Sequence, residues 1–347
     1  VGRMVKGSEL FTGAALDGVP QDIADNEVAA MPDVSNITVC PWNTELAWFP
    51  SDLYLDGAPF EACSRNILKR QVAAAADMGL TFNLGIETEF FLFKDSADGG
   101  FEPISGRDTL AKPCYDPRTL GDNMHIVGEL VEAMNAMGWD VYSFDHEDAN
   151  GQFEFDFMYS DALTMCDRYT FLRLMAKEYA KQEDLIATFM PKPIEGINGS
   201  GMHTHQSLWS IEDQKNAFAE PRSKYGLSKL AQSYMAGVLA HARGMAALLA
   251  PLVNSYKRLT PGYEAPVYIG WAQINRSALI RLPRYTTGRN KSVRLELRCP
   301  DPSANPYLAF AAMLAAGLDG VNKKLDCPEP LNNLNIWNLS EEERSKR

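Results

Sequence analysis

Positive charge is in short supply. The 347-residue chain carries 33 Lys and Arg against 45 Asp and Glu, a formal net charge of −12, with a pI near 5.0. Phosphodiester binding wants a basic face, so a nucleic-acid surface is excluded as the main task. Cysteine is sparse and unpatterned: the six at positions 40, 63, 114, 166, 299 and 327 show no CxxC or CxxxC spacing. They read as reduced structural residues in a cytosol-like compartment. Long hydrophobic runs are missing too. The nearest, LAFAAMLAAGL from Leu308 to Leu318, is too short to cross a bilayer, and no signal peptide is visible. The expected location is cytoplasmic, with no membrane partner. There is no GxxxxGK[ST], so a P-loop enzyme is excluded, and there is no internal repeat or low-complexity tract.

What is there suits a large globular chain. Hydrophobic residues make up 46%, an ordinary share, and the length allows one large domain or two unequal ones. Residues 1–57 read as a small β-rich domain, with strands at 38–42, 45–49 and 51–56. Residues 58–347 read as the larger domain. In it, helices are expected over 59–79, 120–138, 160–183, 227–249 and 303–319, and strands over 81–93, 139–144 and 187–190. Residues 94–116 and 254–268 are expected to be loops.

One short run organises the rest. Arg294, Leu295, Glu296, Leu297 and Arg298 alternate charge and leucine. In a strand this places Arg294, Glu296 and Arg298 on one face and the leucines on the other. Three further segments do the same. LGIETEFFLF pairs Glu87 with Glu89; GQFEFDF sets Gln152, Glu154 and Asp156 against three phenylalanines; GMHTHQS aligns His203, His205 and Ser207. Four strands with apolar backs and polar fronts predict a sheet with a polar inner cleft.

Carboxylates from neighbouring strands, with one imidazole, suit Mg²⁺ or Mn²⁺. The candidate ligands are Glu87, Glu89, Glu147, Glu154, His203 and Glu296. Crowded carboxylates would repel without cations between them, which predicts two or three ions. Arg258, Arg276, Arg281, Arg294 and Arg298 fall within 41 positions and complement the acids, since arginine forks bind phosphate and carboxylate bidentately. Singly, each of these residues fits a solvated strand face or a surface ion pair. Jointly they describe a phosphoryl-transfer site. The glycine-rich GINGSG over 196–201 could let backbone approach a small ligand.

These motifs resemble the type I glutamine synthetases. The run NGSGMHTHQSL from Asn198 is similar to that family's ATP-binding signature. NSYKRLTPGYEAP from Asn254, NRSALIRLP from Asn275 and the stretch from Arg294 to Leu308 follow in the family's order, and the resemblance covers about residue 30 to the end. It implies an α+β fold: an N-terminal β-grasp domain and a catalytic domain whose curved antiparallel sheet forms half a barrel with flanking helices. It also implies hexameric rings, as dodecamers, whose active sites are shared between neighbours. By motif, Glu89, Glu147 and Glu154 resemble ligands of one metal, and Glu87, His203 and Glu296 those of the second. His205, Ser207, Arg281 and Arg294 resemble ATP contacts; Asn198, Gly199 and Arg258 resemble glutamate contacts. Arg276 and Arg298 resemble the pair that steadies the transferred phosphoryl group. Glu264 resembles the flap carboxylate that closes the site and takes a proton from the amine, and Tyr115 an amine-site tyrosine.

The implied reaction converts glutamate to γ-glutamyl phosphate with ATP, then lets an amine attack. Ammonia-using members carry DGSS in the N-terminal domain, whereas here the nearest equivalent is DGVP from Asp17. The aspartate persists and the serines do not. Burying ammonium without its hydrogen-bond partners is costly, so an alkyl- or arylamine is the expected acceptor, with ordinary glutamine synthesis as the alternative. Trp337 stands where adenylylated relatives carry tyrosine, so that control is expected to be absent. Both ends of the chain are expected to be incomplete. A catalytically silent structural relative is the reading from another class; it would be expected to lose metal ligands or the flap glutamate, and all are present.

Overall fold

The computed structural model describes residues 8–10, 28–97, 99–286 and 288–332. In chain order the N-terminal part holds β1 (Ser8–Leu10), β2 (Val28–Pro32), β3 (Thr38–Val39), β4 (Ala47–Trp48), β5 (Ser51–Leu55) and β6 (Ala58–Pro59), followed by helix α1 (Ser64–Asp77). Strands β1, β2, β5 and β6 form a four-stranded sheet, and β3 pairs with β4. The small sheet thus runs to Pro59, just past the expected boundary at 57.

Next come β7 (Leu80–Asp95), β8 (Phe101–Pro103), α2 (Pro117–Asp122), α3 (Met124–Ala136), β9 (Val141–His146), β10 (Gln152–Phe157), β11 (Ser160–Asp161), α4 (Ala162–Gln182) and β12 (Ile186–Thr188). The chain continues through β13 (Met202–Ser210), α5 (Lys229–Leu249), α6 (Val253–Arg258), β14 (Tyr268–Ala272), β15 (Ala278–Arg281), β16 (Leu295–Leu297) and α7 (Pro306–Lys323). A ten-stranded sheet runs β14-β15-β16-β13-β7-β10-β9, with β8, β11 and β12 also pairing along β7. It is an open, curved sheet and antiparallel except for the β14–β15 pair.

Local chemistry sets the helix ends. Asp161 caps α4 by accepting from Leu163 and Thr164 N–H, Ser228 caps α5 through Ala231 N–H, and Asn305 caps α7 ahead of Pro306. Two helices depart from expectation. The helix expected over 120–138 is two, α2 and α3, meeting at Asn123, whose side chain bonds Thr119 O at 2.7 Å. A six-residue helix, α6, lies inside the expected loop 254–268, and β8 lies inside the expected loop 94–116.

The sheet's apolar back makes the core. Leu80, Phe82, Leu84 and Ile86 alternate inward along β7, and Phe153, Phe155 and Phe157 do so along β10. Phe90 stacks on Phe155 at 5.5 Å and on Phe189 at 5.1 Å. Fully burying each such side chain contributes about 1.5–3 kcal/mol. Helices α5 and α7 cross closely because Gly237 and Gly320 meet backbone to backbone; a Cβ on Gly237 would stand 2.2 Å from Ala316 O.

The N-terminal sheet is tied to the rest through Arg65 on α1. Its guanidinium donates to Asp33 at 2.8 Å, to Asp52 at 2.7 Å, and to both oxygens of Asp167 on α4 at 3.1 and 2.9 Å. Tyr307 of α7 and Asn36 also donate to Asp167, at 2.6 and 2.8 Å.

Candidate active site

Strand register brings the predicted residues together. Glu87 on β7 lies opposite Asp156 on β10 and His203 on β13, and Glu89 lies opposite Glu154, which in turn faces Asp145 on β9. On the other flank His205 faces Glu296 on β16, and Arg281 on β15 faces Glu296 from its far side. Side chains opposite one another in a sheet share a face. These pairings therefore gather residues more than 200 positions apart over one polar floor.

Above that floor lies a cleft of about 310 Å³, lined by Glu87, Glu89, Tyr115, Glu147, Glu154, Asn198, Gly199, His203, Arg258, Glu264, Arg276, Arg281 and Arg298 among others. Thirteen of the candidate residues thus share one cavity. Asp17 and Trp337 lie outside the described residues. His205, Ser207, Arg294 and Glu296 stand beside the cleft rather than lining it. His205 Nε2 meets Glu87 at 2.5 Å and its Nδ1 accepts from Arg294 at 3.1 Å. Ser207 Oγ accepts from the indole of Trp209 at 3.0 Å, and Trp209 stacks on Tyr159.

Glu296 is fully buried and is held by Arg281 on one oxygen and Arg298 at 2.5 Å on the other. Burial opposes its charge, but Arg298 and His205 outweigh that and hold its carboxyl below the usual range. Burial likewise works against Glu87, yet His205 and His203 keep it well below the usual range. The opposite holds a strand or two away. Burial, then the neighbouring Glu89, pushes Glu147 up to about 9 and Asp145 up to about 6. Burial and Glu87 push Asp156 up to about 8, and burial with Glu89 raises Glu154 well above its ordinary value.

Two donor sets fit a hard divalent cation: Glu87 with His203 and Glu296, and Glu89 with Glu154 and His203, their ligand atoms within 4.8 Å of one another. Buried Asp145 Oδ1 and Asp156 Oδ1 beside them have no hydrogen-bond partner, an arrangement a cation in the floor would relieve. Glu147 gathers instead with Cys114 and Asp148, at the cleft wall next to Tyr115.

Arg258, expected as a glutamate contact, lines the cleft with most of its guanidinium engaged by backbone. It is 3% exposed, and its guanidinium nitrogens donate to the carbonyls of Arg298, Cys299 and Pro300 at 3.0–3.3 Å. It lines the cleft while pinning the exit of β16. Gly199 is required where it stands, because a Cβ there would sit 2.2 Å from Pro191 O. Asn198 donates to Asp148 at 2.9 Å. Glu264 lies 3.7 Å from Arg276, both side chains about half exposed.

Several residues in or beside the cleft were not among the candidate ligands and contacts. Asp156 sits on the same period-two face as Glu154, so its signal was present. Gln152 shares that face and bonds Glu89 at 3.0 Å. Trp209 continues the period-two series of His203, His205 and Ser207, and Tyr263 lies inside the motif from Asn254; Asp145, Asp148 and Tyr159 carry no spacing signal and become visible only through register and loop packing. Behind the wall, buried His146 meets Asp108 at 2.7 Å and Glu147 O at 2.8 Å, while Asp108 also accepts from Gly151 N–H at 2.7 Å. Tyr115, at φ +62°, donates its N–H to His146 O at 2.8 Å. One buried pair therefore ties the Tyr115 loop to the turn that carries Glu147.

Residues 61–347 match the family described as glutamine synthetase, catalytic domain. The chain belongs to the glutamine synthetase family. A glutamine synthetase from Clostridium saccharobutylicum is 43% identical over 341 residues, covering 97% of this chain and 75% of that protein. A glutamine synthetase from Staphylococcus aureus (strain MW2) is 43% identical over 348 residues, covering 99% of this chain and 76% of that protein. Among solved structures, one titled "Apo GmaS without ligand" superposes with a TM-score of 0.87 at 37% identity, covering 97% of this chain and 76% of that one. A second, "GmaS/ADP complex-Conformation 1", gives 0.85 at the same identity and coverage. The half-barrel fold is thus that of the family, whose members are ATP-dependent carbon–nitrogen ligases that use divalent metals, bind glutamate and a nitrogen substrate, and are oligomeric. Among the described residues, no helix is long and apolar enough to cross a membrane.

Proposed function

We propose that this chain joins the γ-carboxylate of glutamate to an alkyl- or arylamine, at the expense of ATP, through γ-glutamyl phosphate. The observation that carries this reading is one cleft holding a carboxylate–imidazole floor, the arginines 276, 281 and 298, and the Glu264 carboxylate at its rim. A glutamate carboxylate is a poor acyl donor and must be activated by phosphoryl transfer. Arg276 and Arg298 are placed to offset charge on the transferred phosphoryl group, and Asn198 and Gly199 to orient glutamate. An amine attacks only when its nitrogen is neutral. Glu264 takes its proton as general base, with Tyr115 and Glu147 forming the wall beside it. Glu87, His203 and Glu296, with Glu89 and Glu154, would hold the divalent cations, which supply charge neutralisation between the two anions. Glu147 would complete the second set by reaching from the wall. His205, Ser207, Arg281 and Arg294 are the proposed ATP contacts. Arg258 supports the glutamate side, and Asp17 the amine side of a neighbour.

The likeness to GmaS, a γ-glutamylmethylamide synthetase, and the missing serines after Asp17 support an organic amine. The 43% identity to proteins named glutamine synthetase favours ammonia as the second reading. We further propose a division near residue 57, hexameric rings stacked as dodecamers, and a cytoplasmic location. The small sheet confined to residues 8–59 supports the division. Val34, Ile37, Val39 and Leu46, each more than half exposed, support a subunit contact on the N-terminal part.

The test is a panel of ammonia, methylamine, ethanolamine, isopropylamine, putrescine and aniline, with glutamate, ATP and Mg²⁺ or Mn²⁺ fixed. The highest kcat/KM is expected for an amine other than ammonia. Ammonia winning would return the chain to ordinary glutamine synthesis.

A further inference from the structure

Lys192 has no role in the chemistry above, yet it sits where three parts of the site meet. It follows Pro191, whose carbonyl backs Gly199 and accepts Ser200 N–H at 2.8 Å. Its own backbone is clasped by Asn254 of α6: Lys192 N–H donates to Asn254 Oδ1 at 2.7 Å, and Asn254 Nδ2 donates to Lys192 O at 2.9 Å. The residue is 8% exposed. The ammonium donates to Ile197 O, one residue before Asn198. It also stands 3.6 Å from the ring centroid of Tyr263, the residue before Glu264.

That last contact is chemically specific. An ammonium over an aromatic face is attracted by the ring quadrupole, and the attraction is strongest when the cation is withdrawn from water. A second tie on the flap tip is the Glu264–Arg276 pair, at 3.7 Å between half-exposed side chains, which is weak in solvent. Glu264 also has to accept a proton from the amine, which removes the charge that holds it to Arg276. Gly262, at φ +97°, and Pro261 precede Tyr263, so the tip is a turn rather than part of a helix or sheet.

We propose that Lys192 is a positioning residue that latches the flap, its ammonium bridging the Tyr263 ring and the Ile197 carbonyl so that Glu264 and the Asn198–Gly199 loop close over the cleft together. This rests on the ligase reading. Its consequence is coupling. With the flap open, water attacks the γ-carbonyl carbon of γ-glutamyl phosphate, the bond from that carbon to the phosphate oxygen breaks, and glutamate and inorganic phosphate leave without amide. With the flap latched, the amine takes water's place and Glu264 accepts its proton.

The experiment compares phosphate released with amide formed, using ATP, glutamate, Mg²⁺ and the best amine of the panel. Hydrogen–deuterium exchange of residues 259–265 is measured alongside. Lys192→Met and Tyr263→Leu are expected to raise the phosphate-to-amide ratio at least threefold. They should also speed exchange of that segment by about tenfold, as loss of a desolvated cation–π contact predicts, with exchange elsewhere unchanged. Lys192→Arg, which keeps a cation, and Tyr263→Phe, which keeps the ring, should hold both readouts within twofold of wild type. The double variant Lys192→Met/Tyr263→Leu should be no worse than the more severe single variant. Wild-type coupling and exchange in both Lys192→Met and Tyr263→Leu would overturn the latch. So would effects of those two that simply add. If the wild type forms no amide with any amine, the ligase reading fails, and the exchange measurement still decides the latch.

Discussion

Replacing Arg65 by methionine tests how the N-terminal sheet is held to the catalytic part. The arginine is 3% exposed and satisfies Asp33, Asp52 and Asp167, whose side chains are 25%, 12% and 2% exposed. Methionine keeps most of the volume and removes the charge. Asp52 retains Lys69, but among the described residues Asp167 keeps the neutral donors Asn36 and Tyr307. Removing one partner of a buried ion pair costs about 3–5 kcal/mol, chiefly because the other charge is left unpaired. With an unfolding entropy of roughly 2.1 cal/mol/K per residue, that is a fall in Tm of about 4–7 °C.

The pH dependence has a definite sign. In the wild type, hydrogen bonds from Ser35, opposed by burial and reinforced by Arg65, hold Asp33 below its ordinary value of 3.8. Its stabilisation is therefore present above pH 3.8 and lost as the pH falls through the lower folded value. Without Arg65 the Asp33 carboxyl takes up a proton more readily, so the variant's deficit should hold from pH 7 down to pH 3.8 and narrow below it. Adding Asp167→Asn to Arg65→Met should recover at least about 1 kcal/mol by removing the stranded charge. Reversible urea unfolding at pH 7 and pH 3 measures all three. A cost below about 1 kcal/mol at pH 7, or a deficit that widens toward acid, would refute the reasoning.

Other perturbations reach the site and the core. Glu264→Ala should leave ATP binding intact, measured by nucleotide titration, while amide formation disappears; unchanged turnover removes Glu264 from the mechanism. Asp108→Asn should raise the KM for the amine about tenfold, equivalent to about 1.4 kcal/mol, and leave the KM for ATP within about twofold. It loosens the buried His146 pair that sets Tyr115 and Glu147, and equal rises in both constants would deny it that role. Gly237→Ala should cost about 1–3 kcal/mol by overpacking the α5–α7 crossing, read from the urea midpoint. A neutral result would mean that the helices part without strain.

Much of the architecture was legible because it rests on local periodicity. The alternation in β7, β10, β13 and β16 was visible in residues 84–93, 151–157, 201–207 and 294–298, since a half-buried strand imposes period two whatever its neighbours. The long helices followed from 3.6-residue spacing and their caps. The break at Asn123 did not, because a side chain that bonds the preceding turn competes with helix continuation only in context. Helix α6 and strand β8 were hidden by shortness; six and three residues carry too little pattern to outweigh a loop.

The chain alone therefore determined which side chains face a polar side of a strand, and through its motifs which family it resembles. Only the tertiary structure decided which of those faces share a cleft. Register joined Glu87 to His203 across 116 positions and His205 to Glu296 across 91. It recruited Asp145, for which no spacing spoke, and turned the Arg258 guanidinium onto the carbonyls of residues 298–300. The physical reason is that hydrogen-bond pairing between strands is set by the packing of their apolar backs, and a slip of one residue would carry every polar front to the wrong side.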